Sequence, residues 1–113
     1  SGVKIILEET KLESFIKNAD FVITGEGRLD GQTVMGKAPI GVAEIAKKYE
    51  KKVLAFGGCV AEDATLCNQY GIDAFFPILR TVTTLKEAMD FNHAKENLSA
   101  AVEQVFRLIQ SFK

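Results

Sequence analysis

Glu26, Arg28, Asp30 and Lys37 are four charged side chains set among four glycines in the fourteen residues from Thr24 to Lys37. The planar fork of an arginine matches a carboxylate or a phosphate, and a lysine brings a mobile point charge to the same kind of ligand. Gly25, Gly27, Gly31 and Gly36 let backbone N–H groups come close to an anion. Lys37 stands directly before a helical pattern that opens at Pro39, where unpaired helix N–H groups favour negative charge. The chemistry these residue types suit together is the capture of a phosphate or carboxylate, with Gln32 and Thr33 able to orient what is captured. Gly57-Gly58, after the next apolar run, form either a second wall of the same site or a tight turn.

The generic phosphate loops do not fit. Gly31 to Lys37 satisfies the first seven positions of Gly-x-x-x-x-Gly-Lys-[Ser/Thr], but the eighth is Ala38, which lacks the hydroxyl that would ligate Mg²⁺. The match also begins well beyond Thr24, whereas a P-loop leaves its strand directly. In the dinucleotide pattern, Gly31 falls one residue late after Gly25-x-Gly27, and Asp30 lies inside the loop.

The elements that must position these residues alternate between strand and helix. Phe21–Thr24 and Val53–Phe56 read as buried strands, with Ala74–Phe76 as a third, short strand ended by Pro77. Thr10 and Glu13 fit a capping box for a helix to about Asn18, with Leu12, Phe15 and Ile16 on one face. Val3–Leu7 is a strand or a helix turn. Pro39 suits a first helical position, and Val42, Ala43, Ile45, Ala46 and Tyr49 continue an apolar stripe. A helix from about Glu62 to Tyr70 ends at Gly71, where a left-handed cap is needed. Thr84 and Glu87 repeat the capping-box pattern near Leu85. Leu98, Ala101, Val102, Val105, Phe106, Ile109 and Phe112 mark one face of a final helix. This order implies a single α/β domain over residues 1–113: a three-layer, mostly parallel, Rossmann-like partial sheet flanked by helices. Its ligands are expected at the carboxyl ends of the strands. Three secure strands leave edges that need cover, so Val3–Leu7 adds a strand, or the chain pairs with another copy, or it is one piece of a larger protein.

Composition narrows the partners. A chain of 113 residues holds one core. At 47% hydrophobic and 26% charged it is neither disordered nor collagen-like. A net charge of −1 with mixed signs argues against nucleic acid or an anionic membrane as main partner. No apolar stretch is long enough for a bilayer span, and the N-terminus shows no secretory signal. Cys59 and Cys67 have neither metal-ligand nor Cys-x-x-Cys spacing, which suits reduced thiols in a cytoplasmic protein.

Residues Ala19 to Thr33, ADFVITGEGRLDGQT, together with Gly36 to Ala43, GKAPIGVA, closely resemble the signature of the bacterial-type glycerate kinase family. Fainter likeness runs from Ser1-Gly2 through Gly71-Ile72-Asp73-Ala74 to the last helix. Family members are several times longer, and the chain resembles their C-terminal section, without the N-terminal portion that carries further phosphate- and substrate-contacting motifs. The resemblance implies transfer of the γ-phosphoryl group of ATP to a hydroxyl of glycerate, with Mg²⁺ as companion ion. Among the residue types the loop offers for such a transfer, Asp30, Arg28 and Lys37 are the expected catalytic groups. Gly25, Glu26, Gly27, Gln32, Thr33, Gly36, Gly57 and Gly58 would contact substrate or phosphate. Glu26 and Asp30 could ligate Mg²⁺, or one could take the hydroxyl proton. The isolated piece is expected to be inactive or nearly so, and its exposed edges to favour a homo-oligomer.

Plainer readings stand beside these. Glu26 and Arg28 could be a local ion pair, Lys37 a solvated helix-entry residue and Cys59 merely small. His93 reads as capping or solvated, and Phe75, Phe76 and Phe106 as core. Two other functions compete with the kinase: a module that binds a phosphorylated or carboxylated metabolite without turnover, and a structural domain that docks on a partner.

Overall fold

The computed structural model of the protein describes residues 12–79, 84, 86–87 and 90–113. Val3–Leu7, Thr10 and Leu85 lie outside the described residues. Helix α1 (Leu12–Asn18) leads into strand β1 (Phe21–Leu29) and a 3₁₀ turn (Gly31–Val34). Helix α2 (Ala38–Lys48), strand β2 (Lys52–Val60) and a 3₁₀ helix (Glu62–Gln69) follow, then strand β3 (Ala74–Pro77) and helix α3 (Phe91–Gln110). The three strands form one parallel sheet in the order β1-β2-β3.

Alternation along the strands assigns the layers. Val22, Val53 and Ala55 are buried in one cluster with Ile16 of α1, Ile40, Ala43, Ile45 and Ala46 of α2, and Ala64 and Cys67 of the 3₁₀ helix; Phe75 packs against it. The residues between them point the other way. Leu54 and Phe56 are buried, and Phe56 stacks on Phe76 at 5.5 Å, one strand over. On that second face Phe21 meets Phe106 of α3 edge-on, with ring centroids 5.9 Å apart. Helices therefore flank both sides of the sheet. The apolar stripe of α3 is only half covered: none of its residues is fully buried, Leu98 and Leu108 are exposed, and Phe112, expected on this helix, lies beyond its end and is exposed. Phe15 also departs from expectation and lies 73% exposed, leaving Ile16 as the residue α1 buries.

The largest correction concerns the glycine stretches. β1 does not stop at Thr24, nor β2 at Phe56. Pairing continues from Gly25↔Phe56 and Glu26↔Gly57 to Arg28↔Cys59 and Leu29↔Val60. β3 ends level with Gly57, so the last residues of β1 and β2 run on as a two-stranded ribbon. Bare glycines allow this. A Cβ on Gly58 would stand 2.9 Å from the Gly27 carbonyl oxygen, so the close approach of the two backbones needs a glycine there. Gly57-Gly58 is thus strand rather than turn.

Other boundaries follow local chemistry. Pro39 is the second residue of α2, one place later than the first helical position expected for it, with Lys37 as N-cap. The Glu62 segment is wound as 3₁₀ helix rather than α-helix, and Gly71 after it takes φ +100°, the left-handed position predicted for it. The Glu87 N–H donates to Thr84 Oγ1 at 3.2 Å, one half of the expected capping box. Glu13 has a long-range role: its carboxylate accepts from Lys48 Nζ at 2.7 Å and from the Tyr49 hydroxyl, clamping α1 to the end of α2. Asp73 acts likewise, accepting from Lys47 Nζ and from the Val53 N–H at 2.7 Å. It pins the start of β2 against α2.

Candidate functional site

The ribbon of β1 and β2 delivers Arg28 and Leu29 to the carboxyl end of the sheet, where the two 3₁₀ segments pack against each other. Leu29 is fully buried and its carbonyl accepts the Ala61 N–H at 2.9 Å, which anchors the end of the strand. Arg28, next to it, turns outward, with its side chain 60% exposed while that of Asp30 is 15% exposed. Arg28 Nε donates to Asp30 Oδ2 at 3.0 Å. The ion pair of this segment is therefore Arg28 with Asp30, and not Arg28 with Glu26. Arg28 Nη1 also lies 3.9 Å from Cys59 Sγ across the ladder.

Asp30 is held on every side. Its Oδ1 accepts the Gln32 N–H at 2.9 Å, its N–H donates to Thr33 Oγ1 at 3.1 Å, and its carbonyl accepts the Thr33 N–H at 3.1 Å. This is a capping box for the 3₁₀ turn, made with Asp and Thr. Burial alone would raise the Asp30 carboxyl. The hydrogen bonds from Arg28 and the Gln32 amide, with the charges of Lys37 and Arg28, outweigh it and hold the group below the usual carboxylate range. Asp30 is ionised at neutral pH and is a weak proton acceptor in this arrangement.

The structure pairs Arg28 with Asp30, and the charge of Lys37 contributes to holding the Asp30 carboxyl low. Lys37 is exposed, with its backbone carbonyl capping α2 through the Ile40 N–H at 3.0 Å. Gly36 before it takes φ +94°, the left-handed turn that aims the chain into α2. Gln32 is exposed, and so are Gly25 and Gly27 on the strand; a Cβ on Gly27 would meet nothing within 4 Å. Glu26 is half-buried. Two expected contact residues are placed otherwise. Thr33 is fully buried, its hydroxyl shared between the Asp30 N–H and the Cys67 thiol, and Gly57 is buried inside β2. Neither is placed to touch a ligand.

Two neighbours of this site carry no sequence signal. Cys67, 37 positions from Asp30, directs Sγ to the Asp30 carbonyl at 3.9 Å. Burial pushes its thiol up and the Asp30 charge adds to this, which keeps it protonated as a donor. The Asp63 carboxylate lies over Gly31, where a Cβ would come within 2.5 Å of Oδ2. Only the packing of one 3₁₀ segment on the other creates these contacts. Both cysteines are free, Cys59 exposed and Cys67 buried. Two open concavities of about 600 and 590 Å³ run along α3 and contain none of these residues. No helix among the described residues is long and apolar enough to cross a membrane.

Residues 1–110 match the glycerate kinase family. A glycerate kinase of Haemophilus influenzae is 41% identical over 109 residues, covering 96% of this chain and 28% of the relative. A glycerate kinase of Bacillus subtilis is 42% identical over 112 residues, covering 99% and 29%, and a glycerate 2-kinase of Escherichia coli is 43% identical over 105, covering 93% and 27%. The crystal structure of a glycerate kinase 2 from Salmonella typhimurium superposes with a TM-score of 0.64 at 34% identity, over 99% of this chain and 27% of that one. The chain thus spans less than a third of the length of these relatives. With a match over almost its whole length, including the Arg28–Asp30 segment, the chain belongs to the glycerate kinase family.

Proposed function

We propose that this chain is the C-terminal section of a cytoplasmic kinase that transfers the γ-phosphoryl group of ATP to a hydroxyl of glycerate, and that Arg28, Asp30 and Lys37 stand at the reaction end of the segment. The observation that carries this is the outward-facing Arg28 fork, fixed at Nε by the Asp30 carboxylate, beside Lys37 in the family-matching segment. With Nε taken by Asp30 and Nη1 beside Cys59 Sγ, the guanidinium still carries further N–H donors that suit the migrating phosphoryl group or the glycerate carboxylate. Phosphoryl transfer asks for positioning and charge neutralisation more than covalent chemistry, and this arrangement offers both.

Each role follows from placement. Arg28 and Lys37 supply positive charge where negative charge gathers on the transferring group. Asp30 stays ionised and aims Arg28, which makes it an anchor rather than the group that takes the hydroxyl proton. The exposed backbone of Gly25 and Gly27 and the side-chain amide of Gln32 offer polar contacts to the substrate, and Gly36 sets the approach to Lys37. Mg²⁺ would accompany ATP and neutralise phosphate charge. No group of three acidic, histidine or cysteine side chains among the described residues forms a metal cluster, and both Asp30 oxygens are engaged. Glu26 is the remaining carboxylate of the pair and would serve as a single ligand, which suits an ion that keeps phosphate and water around it. The two free thiols support the cytoplasmic reading.

The rest of a kinase three to four times longer would complete the site, so the isolated 113 residues would not turn over substrate. A coupled assay of a full-length kinase carrying this segment, with ATP, Mg²⁺ and D-glycerate, tests the proposal. ADP formation that depends on glycerate supports it. Tight binding of a phosphorylated metabolite with no ADP formed would identify a binding module instead.

A further inference from the structure

The 3₁₀ turn beneath Arg28 contains a side chain that no ligand can reach and that nonetheless touches the site. Thr33 is fully buried, and its single polar atom accepts the Asp30 N–H. In the next peptide group, on the carboxyl side of the same residue, the Asp30 carbonyl receives the Thr33 N–H and the Cys67 thiol. Asp30 therefore spends both backbone groups and one carboxylate oxygen on its neighbours, and only Oδ2 is left to face Arg28. A fixed backbone at Asp30 leaves its side chain little freedom, and the Arg28 fork inherits that order through the 3.0 Å bond to Nε. Side chains at a reacting centre are held by such supporting contacts, and small misplacements are costly.

We propose that Thr33 and Cys67 are positioning residues: acting through the backbone of Asp30, they fix the carboxylate that aims Arg28 at the substrate. This rests on the reading of Arg28 and Asp30 given above. Cys67 closes the arrangement from the second 3₁₀ segment, so the packing of the two segments sets the direction of an arginine on neither of them. Valine in place of Thr33 fills the same volume and offers no acceptor, whereas serine keeps the hydroxyl.

The test is steady-state kinetics of a full-length kinase carrying this segment, with kcat expressed per folded molecule. Thr33→Val should lower kcat about tenfold, the loss expected for an unsatisfied amide beside the reacting centre, with KM for ATP unchanged. Thr33→Ser should restore kcat to within about threefold of the parent. In an Asp30→Asn background Thr33→Val should add little, because both changes act on one contact chain. Should Thr33→Val fail to fold, Cys67→Ala reads the same support, with kcat lower by about threefold in the parent and unchanged beside Asp30→Asn. Full kcat in Thr33→Val or, where that variant does not fold, in Cys67→Ala, while Asp30→Asn is impaired, would overturn the positioning role and leave the site reading standing. Equal losses in both backgrounds would overturn it as well. Full activity of Asp30→Asn would remove the site reading and this inference together.

Discussion

Arg28 and Cys59 face each other across the β1–β2 ladder, in register, with Nη1 3.9 Å from Sγ. The thiol is exposed and lies beside the cation proposed to meet the substrate, so it serves as a built-in reporter. A ligand that engages Arg28 should cover Cys59.

Phosphate or ATP with glycerate should therefore slow alkylation of Cys59 in a full-length kinase carrying the segment, while buried Cys67 stays unreactive. Mass spectrometry of the labelled protein measures the rate at each thiol. Arg28→Ala should remove the protection.

Gly27 and Gly58 are neighbours with opposite requirements. Gly58→Ala drives a methyl to 2.9 Å from the Gly27 carbonyl and should destabilise the chain by about 1–3 kcal/mol in urea unfolding. Gly27→Ala meets nothing and should stay within about 0.5 kcal/mol of the parent. It should nonetheless raise KM for substrate in the full-length enzyme, because the added methyl stands on the exposed strand surface where the ligand is placed.

Removing the charge of Asp30 or Lys37 separates anchor from cation. Asp30→Asn leaves Arg28 without its ionic partner, and Lys37→Ala removes one positive charge. Each should reduce kcat by about 10- to 100-fold with the circular dichroism spectrum unchanged. Unaltered kcat in Asp30→Asn would refute the site assignment, and unaltered kcat in Lys37→Ala would remove Lys37 from it.

Acid stability follows from Asp73. Burial would raise its carboxyl, but the Lys47 hydrogen bond and the Val53 N–H, with the charges of Lys47 and Lys52, hold it below the ordinary value. A depressed folded-state pKa gives stability that is present above the unfolded value, about 3.9, and lost as pH falls through the folded one. Urea unfolding should show a plateau near neutrality and a decline below about pH 4. Asp73→Asn should lower the plateau by about 1–2 kcal/mol and flatten the decline.

The parts of the fold that were legible in the sequence are those fixed by local chemistry. Pro39, Gly71 and the apolar runs Phe21–Thr24 and Val53–Phe56 needed only their neighbours to be read. The ends of β1 and β2 were not legible, because glycine ordinarily signals a turn and here serves close backbone pairing. Phe15 was misplaced for a related reason: helical spacing allows two adjacent faces, and contact with α2 selects Ile16. Within the site, the charged types were legible and their pairing was not. The Glu26–Arg28 alternative gave way to Arg28–Asp30 because the capping box turns the Asp30 carboxylate back toward the strand.

The most direct test is a crystal structure of a full-length kinase carrying this segment, with glycerate and a non-hydrolysable ATP analogue bound. The expected placement is an outer nitrogen of Arg28 and Nζ of Lys37 within about 3 Å of the γ-phosphate or the glycerate carboxylate, with Asp30 still bonded to Arg28 Nε. Ligands seated elsewhere, with Arg28 and Lys37 turned to solvent and no ligand atom near Gly25–Lys37, would contradict it.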